Sequence, residues 1–174
     1  MENNLETLFS FIKNEDVRTK LAGSRDRIER SFNELFGGYA LKAEDILNET
    51  IRVNDVYKGI VEVKDINFYT FCEHHFAPFF GTARVCYQPA NIITGLGKIV
   101  RLVRDVHARR LQIQEVMTKD IAEDMQRVLH AKGVYVETRA KHLCVCSRGP
   151  GDDTAETVVK YGLGSLSNWA INHE

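Results

Sequence analysis

The sequence predicts an α+β domain in which helices cover one face of an antiparallel sheet. Apolar residues recur at helical spacing near the start of the chain and again in its middle. Between and after these stretches, segments rich in Val, Ile, Phe, Tyr and Thr alternate as strands do. The resulting order of helices, two strands, two helices and two strands is typical of α+β proteins. A length of 174 residues suffices for one domain with its own core.

Residues 1–50 are expected to form an N-terminal helical segment. Apolar side chains in residues 5–13 lie at helical spacing and predict a short amphipathic helix. Ser24 is suited to cap a second helix, which the glycine pair at 37–38 would end. Residues 43–48 are expected to add one helical turn.

Two strands are expected next, at residues 58–71 and 80–87, because both stretches are β-branched and aromatic. Helical spacing then returns at residues 99–106 and, after a break, at residues 113–129. Gly133 is expected to close the second of these helices. The centre of the chain therefore supplies two helices to one face of the sheet.

A third strand is predicted at residues 134–145, where apolar and polar positions separate by alternation. The even-numbered residues, including His142 and Cys144, are expected to face the interior, and the odd-numbered ones to face away. A last strand is expected at about 154–163.

Composition excludes several classes of protein. The 23 Lys and Arg residues against 24 Asp and Glu residues give a net charge of -1, which does not indicate a nucleic-acid surface. No apolar run is long enough to span a bilayer, so no membrane partner is expected. The first residues do not resemble a secretory signal, which makes the cytoplasm the expected location. Four cysteines in such a chain favour metal or redox chemistry over disulfides.

Two clusters of soft ligands predict a metal site that folding would close. In Cys-Glu-His-His at 72–75, Cys72 and His75 have a spacing common in zinc half-sites, which leaves His74 free. The second cluster, at 142–146, offers Cys144, with Cys146 as a rival. A packed cysteine beside a surface histidine and a four-ligand structural zinc are the alternatives.

A site with three protein ligands would be catalytic. The open fourth position would hold a water whose pKa zinc lowers to about 7. His74 and His142 would then be proton-transfer groups beside the metal. Glu73 is either an outer partner of the site or simply solvated.

A second group of residues is suited to bind an anion and a polar ring. Gly-Leu-Gly-Lys at 95–98 opens a predicted helix, and Lys98 and Arg101 share one helical face. Arg148 is a further candidate. Gln114 and Glu115 begin the next helix, where they could recognise a polar heterocycle or simply complement the helix dipole.

Together these motifs resemble the GTP cyclohydrolase I family. The matching blocks are in register at 72–79, 95–101, 109–115 and 142–149. The resemblance implies a tunnelling fold for residues 51–174, with a four-stranded antiparallel sheet, two helices on one face and a barrel-like ring of subunits. It implies homodecamers with active sites at subunit interfaces.

The resemblance also implies the reaction and its residues. Zinc-activated water would attack C8 of the guanine of GTP; ring opening, formate loss and rearrangement would give 7,8-dihydroneopterin triphosphate. The implied roles are zinc ligation by Cys72, His75 and Cys144; proton transfer by His142 and His74; guanine recognition by Glu115 with Gln114 beside it; and triphosphate binding by Lys98, Arg101, Arg148 and, from a neighbouring subunit, Arg27.

The chain departs from the family pattern at Gly97, where serine is usual, at Arg25-Asp26 and at 151–157. These departures leave two alternatives open. One is a divergent family member that converts GTP or a related purine nucleotide to a ring-opened or C8-oxidised product. The other is a non-catalytic regulatory paralogue, against which the retained zinc, base and phosphate residues argue.

Overall fold

The computed structural model describes residues 10–53 and 57–169. Contacts divide the chain into two compact units, Met1–Leu35 and Phe36–Glu174. Residues 36–50, which the sequence analysis grouped with the N-terminal helices, belong to the second unit. No helix in the described ranges is long and apolar enough to cross a bilayer.

The first unit contains helices α1, Glu15–Ala22, and α2, Arg25–Leu35. The sequence analysis predicted α2, whose Ile28, Phe32 and Leu35 share one face, but missed α1, which carries only two large apolar side chains, Val17 and Leu21. Its start is instead marked by Asn14, whose side chain accepts a hydrogen bond from the Val17 amide at 3.2 Å. Most of the helix predicted at 5–13 lies outside the described residues.

The second unit combines one larger sheet, a two-stranded sheet and several helices. In chain order its elements are a 3₁₀ helix (Gly37–Ala40), α3 (Ala43–Ile46), β1 (Thr50–Arg52), β2 (Val61–Cys72), β3 (Pro78–Gln88), β4 (Ile92–Thr94), α4 (Leu96–Arg101), a π-helix (Leu102–His107), β5 (Leu111–Gln112), α5 (Gln114–Leu129), β6 (Gly133–His142), α6 (Leu143–Cys146) and β7 (Thr157–Gly164).

The larger sheet has the strand order β5-β2-β3-β6-β7. Its four long strands are antiparallel, as predicted, and two-residue β5 extends the edge in parallel with the end of β2. Separately, β1 pairs with β4. The register places His142, the last residue of β6, opposite Phe79 of β3. The last residues of β2 and β6 therefore lie beside the first residues of β3 and beside β5, at one end of the sheet.

Two details of the predicted elements were wrong. The strand predicted at 134–145 stops at His142, and Cys144 lies in the helical turn α6. Helix α5 ends at Leu129, where His130 takes the left-handed conformation with φ 49, so Gly133 begins β6 instead of closing the helix. The predicted separation of the two faces of β6 is confirmed: Val134, Val136 and Ala140 belong to the main core, and Tyr135 belongs to a second cluster. Both faces are buried up to Thr138.

The main core lies between the sheet and the helices on one of its faces. The π-helix packs against β2, and α5 packs against β6 and β7. The predicted apolar positions at 99–106 are buried, but the helix widens into π geometry, in which the Ala108 amide bonds the Val103 carbonyl at 2.8 Å. A second, smaller cluster of buried residues consists of Cys86, Tyr135 and Leu166.

Glu137 of β6 is a buried carboxylate whose partners make the fold sensitive to acid. Tyr135 Oη and Arg139 Nε donate hydrogen bonds to it at 2.9 and 2.7 Å. Burial alone would raise the pKa of Glu137, but these two bonds and the charge of Lys160 outweigh burial and hold the pKa below its usual value. The resulting stability is complete above the pKa of the unfolded chain and is lost as pH falls through the lower folded pKa.

We expect Glu137→Gln to lower the free energy of unfolding at neutral pH by about 1–3 kcal/mol, because the amide has no negative charge and only one of its two ends can accept from Arg139 or Tyr135. Urea unfolding at pH 7 and pH 4 measures this loss, and the two proteins should differ less at pH 4. Glu156→Gln, which alters an exposed carboxylate, is the control. Equal losses for both variants at pH 7 would contradict the prediction.

Candidate functional site

The turn between β2 and β3 presents the first two candidate ligands. The Cys72 amide donates to the Ala77 carbonyl at 2.8 Å, and the Phe76 amide donates to the Cys72 carbonyl at 2.9 Å. Phe76 takes the left-handed conformation, φ 50, and its ring packs 5.5 Å from that of Phe71. The closed turn places His75 Nδ1 3.7 Å from Cys72 Sγ.

The third candidate ligand arrives from α6, which follows β6 without a break. Cys144 is buried in this helical turn, and the ligand atoms of Cys72, His75 and Cys144 all lie within 4.8 Å of one another. Two thiols and an imidazole at this separation match the donor set and compactness of a zinc site. Cys146 does not belong to the cluster among the described residues.

The electrostatics of Cys144 suit a cation. Burial raises the pKa of the Cys144 thiol, the neighbouring Cys72 thiol raises it further, and Arg148 acts weakly in the opposite direction. The Cys144 thiol therefore tends to keep its proton in the absence of a cation. Binding a metal would replace this proton, because the thiolate is the form that ligates.

His142 stands next to this cluster and is held on two sides. Its ring is stacked on the Phe79 ring, with centroids 4.2 Å apart and an interplanar angle of 6°. Its Nε2 lies 2.8 Å from Oε1 of Gln114. Burial lowers the pKa of His142, and the nearby Glu115 carboxylate partly offsets that effect.

A cavity of about 260 Å³ joins the cysteine–histidine cluster to the start of α5. It is lined by Cys72, His74, His75, Gln112, Ile113, Gln114, Glu115, His142, Cys144, Val145 and Thr157. All the residues predicted from sequence to ligate metal, transfer protons or recognise the base are in this lining. The cavity thus brings thiols, imidazoles and a carboxylate to one space.

The predicted phosphate-binding residues are not in the lining. Lys98 and Arg101 lie in α4, where Lys98 Nζ forms an ion pair with Glu49 at 2.9 Å. Arg148 is exposed after α6 and is close enough to Cys144 to influence its pKa. Arg27 is exposed in α2, in the first unit.

Four lining residues are not among the site residues predicted from the sequence: Gln112, Ile113, Val145 and Thr157. Gln112 pairs with Cys72 across the β5–β2 contact, and its carbonyl accepts from the Glu73 amide at 3.0 Å. A two-residue strand leaves no periodic pattern, so only the adjacency of residues 111–113 to Gln114 could have indicated this wall.

A larger cavity of about 440 Å³ lies elsewhere, against the π-helix and α5. Several of its polar side chains already have partners: His107 Nε2 lies 3.1 Å from Asp124, and Arg127 pairs with both Glu44 and Asp124. It contains no cysteine, and its chemistry does not favour it as the catalytic site.

Comparison with known proteins agrees with the motifs. The family model described as GTP cyclohydrolase I matches residues 1–173. The GTP cyclohydrolase 1 of Allorhizobium ampelinum is 41% identical over 148 residues, which cover 85% of this chain and 73% of that protein. The GTP cyclohydrolase 1 of Brucella canis is 39% identical over 169 residues, covering 97% of this chain and 79% of that protein.

A solved structure supports the fold independently. The apo form of the archaeosine synthase QueF-Like, a tunnelling-fold protein, superposes with a TM-score of 0.51. The superposition covers 63% of this chain and 97% of that one at 15% sequence identity, so it bears on the fold alone. Sequence, cavity and fold point the same way, and the chain belongs to the GTP cyclohydrolase I family.

Proposed function

We propose that this chain catalyses the GTP cyclohydrolase I reaction, the conversion of GTP to 7,8-dihydroneopterin triphosphate with release of formate. The observation that carries the proposal is the shared cavity, where the three soft ligands, His142 and the Glu115 carboxylate meet. A purine ring needs a hydrolytic centre at one end and a polar anchor at the other. The lining supplies both.

Cys72, His75 and Cys144 would hold a zinc ion, since their donor atoms are already gathered and two of them are buried thiols. When bound, zinc supplies a Lewis acid that activates water for attack on C8 of the guanine. Three protein ligands leave the open position that catalytic zinc sites keep.

Proton transfer is assigned to His142 and His74. His142 would donate a proton to the purine nitrogen as the bond between that nitrogen and C8 breaks, which avoids an anionic leaving group. His74 is exposed on the cavity wall and is suited to exchange protons with solvent as a second acid or base.

Glu115 is assigned to the guanine base. Its carboxylate accepts hydrogen bonds only, and the amino group and adjacent ring N–H of guanine are donors, so the two match. Glu115 follows Gln114 at the first turn of α5, beside His142. This arrangement would set the distance between the anchored edge of the base and the proton donor.

The triphosphate would be bound by Lys98, Arg101, Arg148 and, from a neighbouring subunit, Arg27. Lys98 would exchange its ion pair with the largely exposed Glu49 for the more highly charged phosphates. We further propose a homodecamer in which subunit sheets form a barrel-like ring and active sites lie at subunit interfaces. In support, these basic residues lie outside the lining of the cavity that one protomer forms.

One experiment tests the reaction against its alternatives. Zinc-loaded protein is incubated with GTP, and the products are identified by mass spectrometry, a formate assay and pterin fluorescence after oxidation. Formate with a pterin supports the proposal. Consumption of GTP without a pterin would instead indicate a divergent product, for which Gly97 is the motivating feature. Bound GTP without turnover would indicate a non-catalytic paralogue.

Gly97 can be replaced by the serine that is usual in the family. A Cβ at Gly97 would meet no heavy atom within 4 Å, and the residue is exposed near the start of α4. We expect Gly97→Ser to fold normally and to gain up to about 0.5 kcal/mol of stability, because serine favours helix more than glycine does. Thermal unfolding measures this change.

Gly81→Ser provides the contrast. A Cβ there would lie 1.8 Å from the Arg139 carbonyl across the β3–β6 pair, so the sheet must distort. If Gly97→Ser lowered the melting temperature as much as Gly81→Ser does, the conclusion that a side chain at position 97 meets no neighbouring atoms would be wrong.

A further inference from the structure

The side-chain amide of Gln114 is buried and fully engaged with protein groups. Only 2% of the residue is exposed. Its Nε2 lies 3.2 Å from the Thr138 carbonyl, 3.0 Å from Thr138 Oγ1 and 3.1 Å from the Thr157 carbonyl. Carbonyl oxygens only accept hydrogen bonds, so the amide nitrogen must be the atom that faces them. If the amide were flipped, Gln114 Oε1 would face the oxygens of the two carbonyl groups and of the Thr138 hydroxyl group.

The hydroxyl groups of Thr118 and Thr138 complete the hydrogen-bond network, and only one assignment of donors and acceptors satisfies all of its bonds. Thr118 Oγ1 donates to the main-chain carbonyl of Gln114 at 2.7 Å, so the only proton of this hydroxyl group is used. Thr138 Oγ1, 2.7 Å from Thr118 Oγ1, must then donate to it and can accept from Gln114 Nε2. Each donor has an acceptor, and the direction of every bond follows.

This network determines the protonation of the facing histidine nitrogen. Gln114 Oε1 can only accept, and it lies 2.8 Å from His142 Nε2. His142 Nε2 must therefore carry a proton. Stacking on Phe79 holds the ring plane, and the bond to Gln114 prevents rotation within that plane.

The other ring nitrogen, Nδ1, remains available to a ligand. Within the described part of the chain no hydrogen bond involves His142 Nδ1, and this atom is not among the buried side-chain atoms that lack a partner, so it is accessible to a ligand. We propose that Gln114 is a positioning residue that fixes the ring orientation and the tautomer of His142, so that His142 exchanges protons with the ligand through Nδ1. The catalytic meaning of this role rests on the proposed function.

The proton transfer is balanced in this arrangement. The proton leaves Nδ1 of the imidazolium for the ligand nitrogen, and the neutral ring that remains keeps its Nε2 proton on Gln114. The amide itself takes up and releases no proton, so its contribution is geometric. It differs in this from Glu115, the next residue along the chain, which is assigned to the base.

The test replaces Gln114 by methionine, which has a similar length but cannot accept a hydrogen bond from nitrogen with comparable strength. Solid-state ¹⁵N spectra of sedimented, ¹⁵N-histidine-labelled protein report the ring tautomer, with His142→Asn identifying the resonances. We expect wild-type His142 to be protonated at Nε2 and Gln114→Met to show a mixture of tautomers. With GTP, kcat should fall by about 10- to 100-fold, part of the usual contribution of a proton donor, while KM changes by less than about twofold.

Two further variants make the result specific. Gln114→Glu keeps one oxygen facing His142, while its second oxygen faces the Thr138 and Thr157 carbonyls, which favour the protonated acid as a donor. This variant should therefore retain the Nε2-protonated ring. Gln112→Met makes the same change in the same cavity wall, but the Gln112 amide donates to the His107 carbonyl at 2.6 Å and should not affect His142. A mixture of tautomers in Gln112→Met would indicate general loosening and overturn the proposal.

The two readouts separate this proposal from the proposed function. An unchanged tautomer in Gln114→Met, or a raised KM with unchanged kcat, would overturn the positioning role, the second by indicating direct contact with the substrate. Loss of the tautomer in a protein that never converts GTP would leave the positioning role intact and count against the GTP cyclohydrolase reaction instead.

Discussion

Replacement of Cys144 by alanine is expected to abolish zinc retention and, with it, turnover of GTP. Cys144 is the only member of the ligand cluster contributed by α6, and its loss leaves one thiol and one exposed imidazole from a single turn. The affinity should fall by more than the roughly 10- to 100-fold that removal of a hydrogen-bonded partner behind a metal ligand costs. Metal content after dialysis, measured by mass spectrometry, checks the result.

Cys146→Ala is the matched control, because it makes the same change two residues away. Cys146 is half-buried and outside the cluster, so this variant should keep its zinc. Retention by Cys144→Ala together with loss by Cys146→Ala would reverse the ligand assignment. Equal retention by both would show that the cluster does not hold the metal.

Replacement of His142 by asparagine is expected to lower kcat by about 10²- to 10⁴-fold, the range contributed by a positioned general acid or base. Zinc should be retained, because His142 is not among the three clustered ligands. The variant should also lose about 1–3 kcal/mol of stability, since Gln114 Oε1 loses the partner that it has at 2.8 Å. Steady-state kinetics with GTP and metal analysis together measure these effects.

His130→Asn is a suitable control for this substitution. His130 is exposed at the end of α5 with φ 49 and ψ 38, a conformation that asparagine tolerates well. We expect wild-type kinetics and stability from it. A His142→Asn enzyme with undiminished kcat would remove His142 from the proposed mechanism.

The strands and core helices were predictable because burial imposes a period on the sequence. β2, β3 and the apolar positions of α5 all lie where alternation or helical spacing placed them. α1 and β5 were missed for the opposite reason. α1 carries only two large apolar side chains and β5 has two residues, so neither shows a clear period.

The candidate site was predictable to the level of residue type. The ligand, proton-transfer and base-binding candidates named from spacing and resemblance all line one cavity. The role of the Gln114 side chain was not apparent, because Thr138 and Thr157, which hold its amide, are distant in sequence. No local pattern records a contact between residues 24 and 43 positions apart.

The sequence by itself determined the fold class, the family and the donor chemistry, because these follow from local periodicity and from motifs in fixed order. The resemblance to the family implied Cys144 as the ligand, but the reason why Cys144 and not Cys146 faces Cys72 lies in the tertiary structure. On a continued strand, Cys144 and Cys146 would share one face. Because β6 ends at His142 and the chain turns into α6, two residues span about 200° around the helix, so only one of them can point at Cys72.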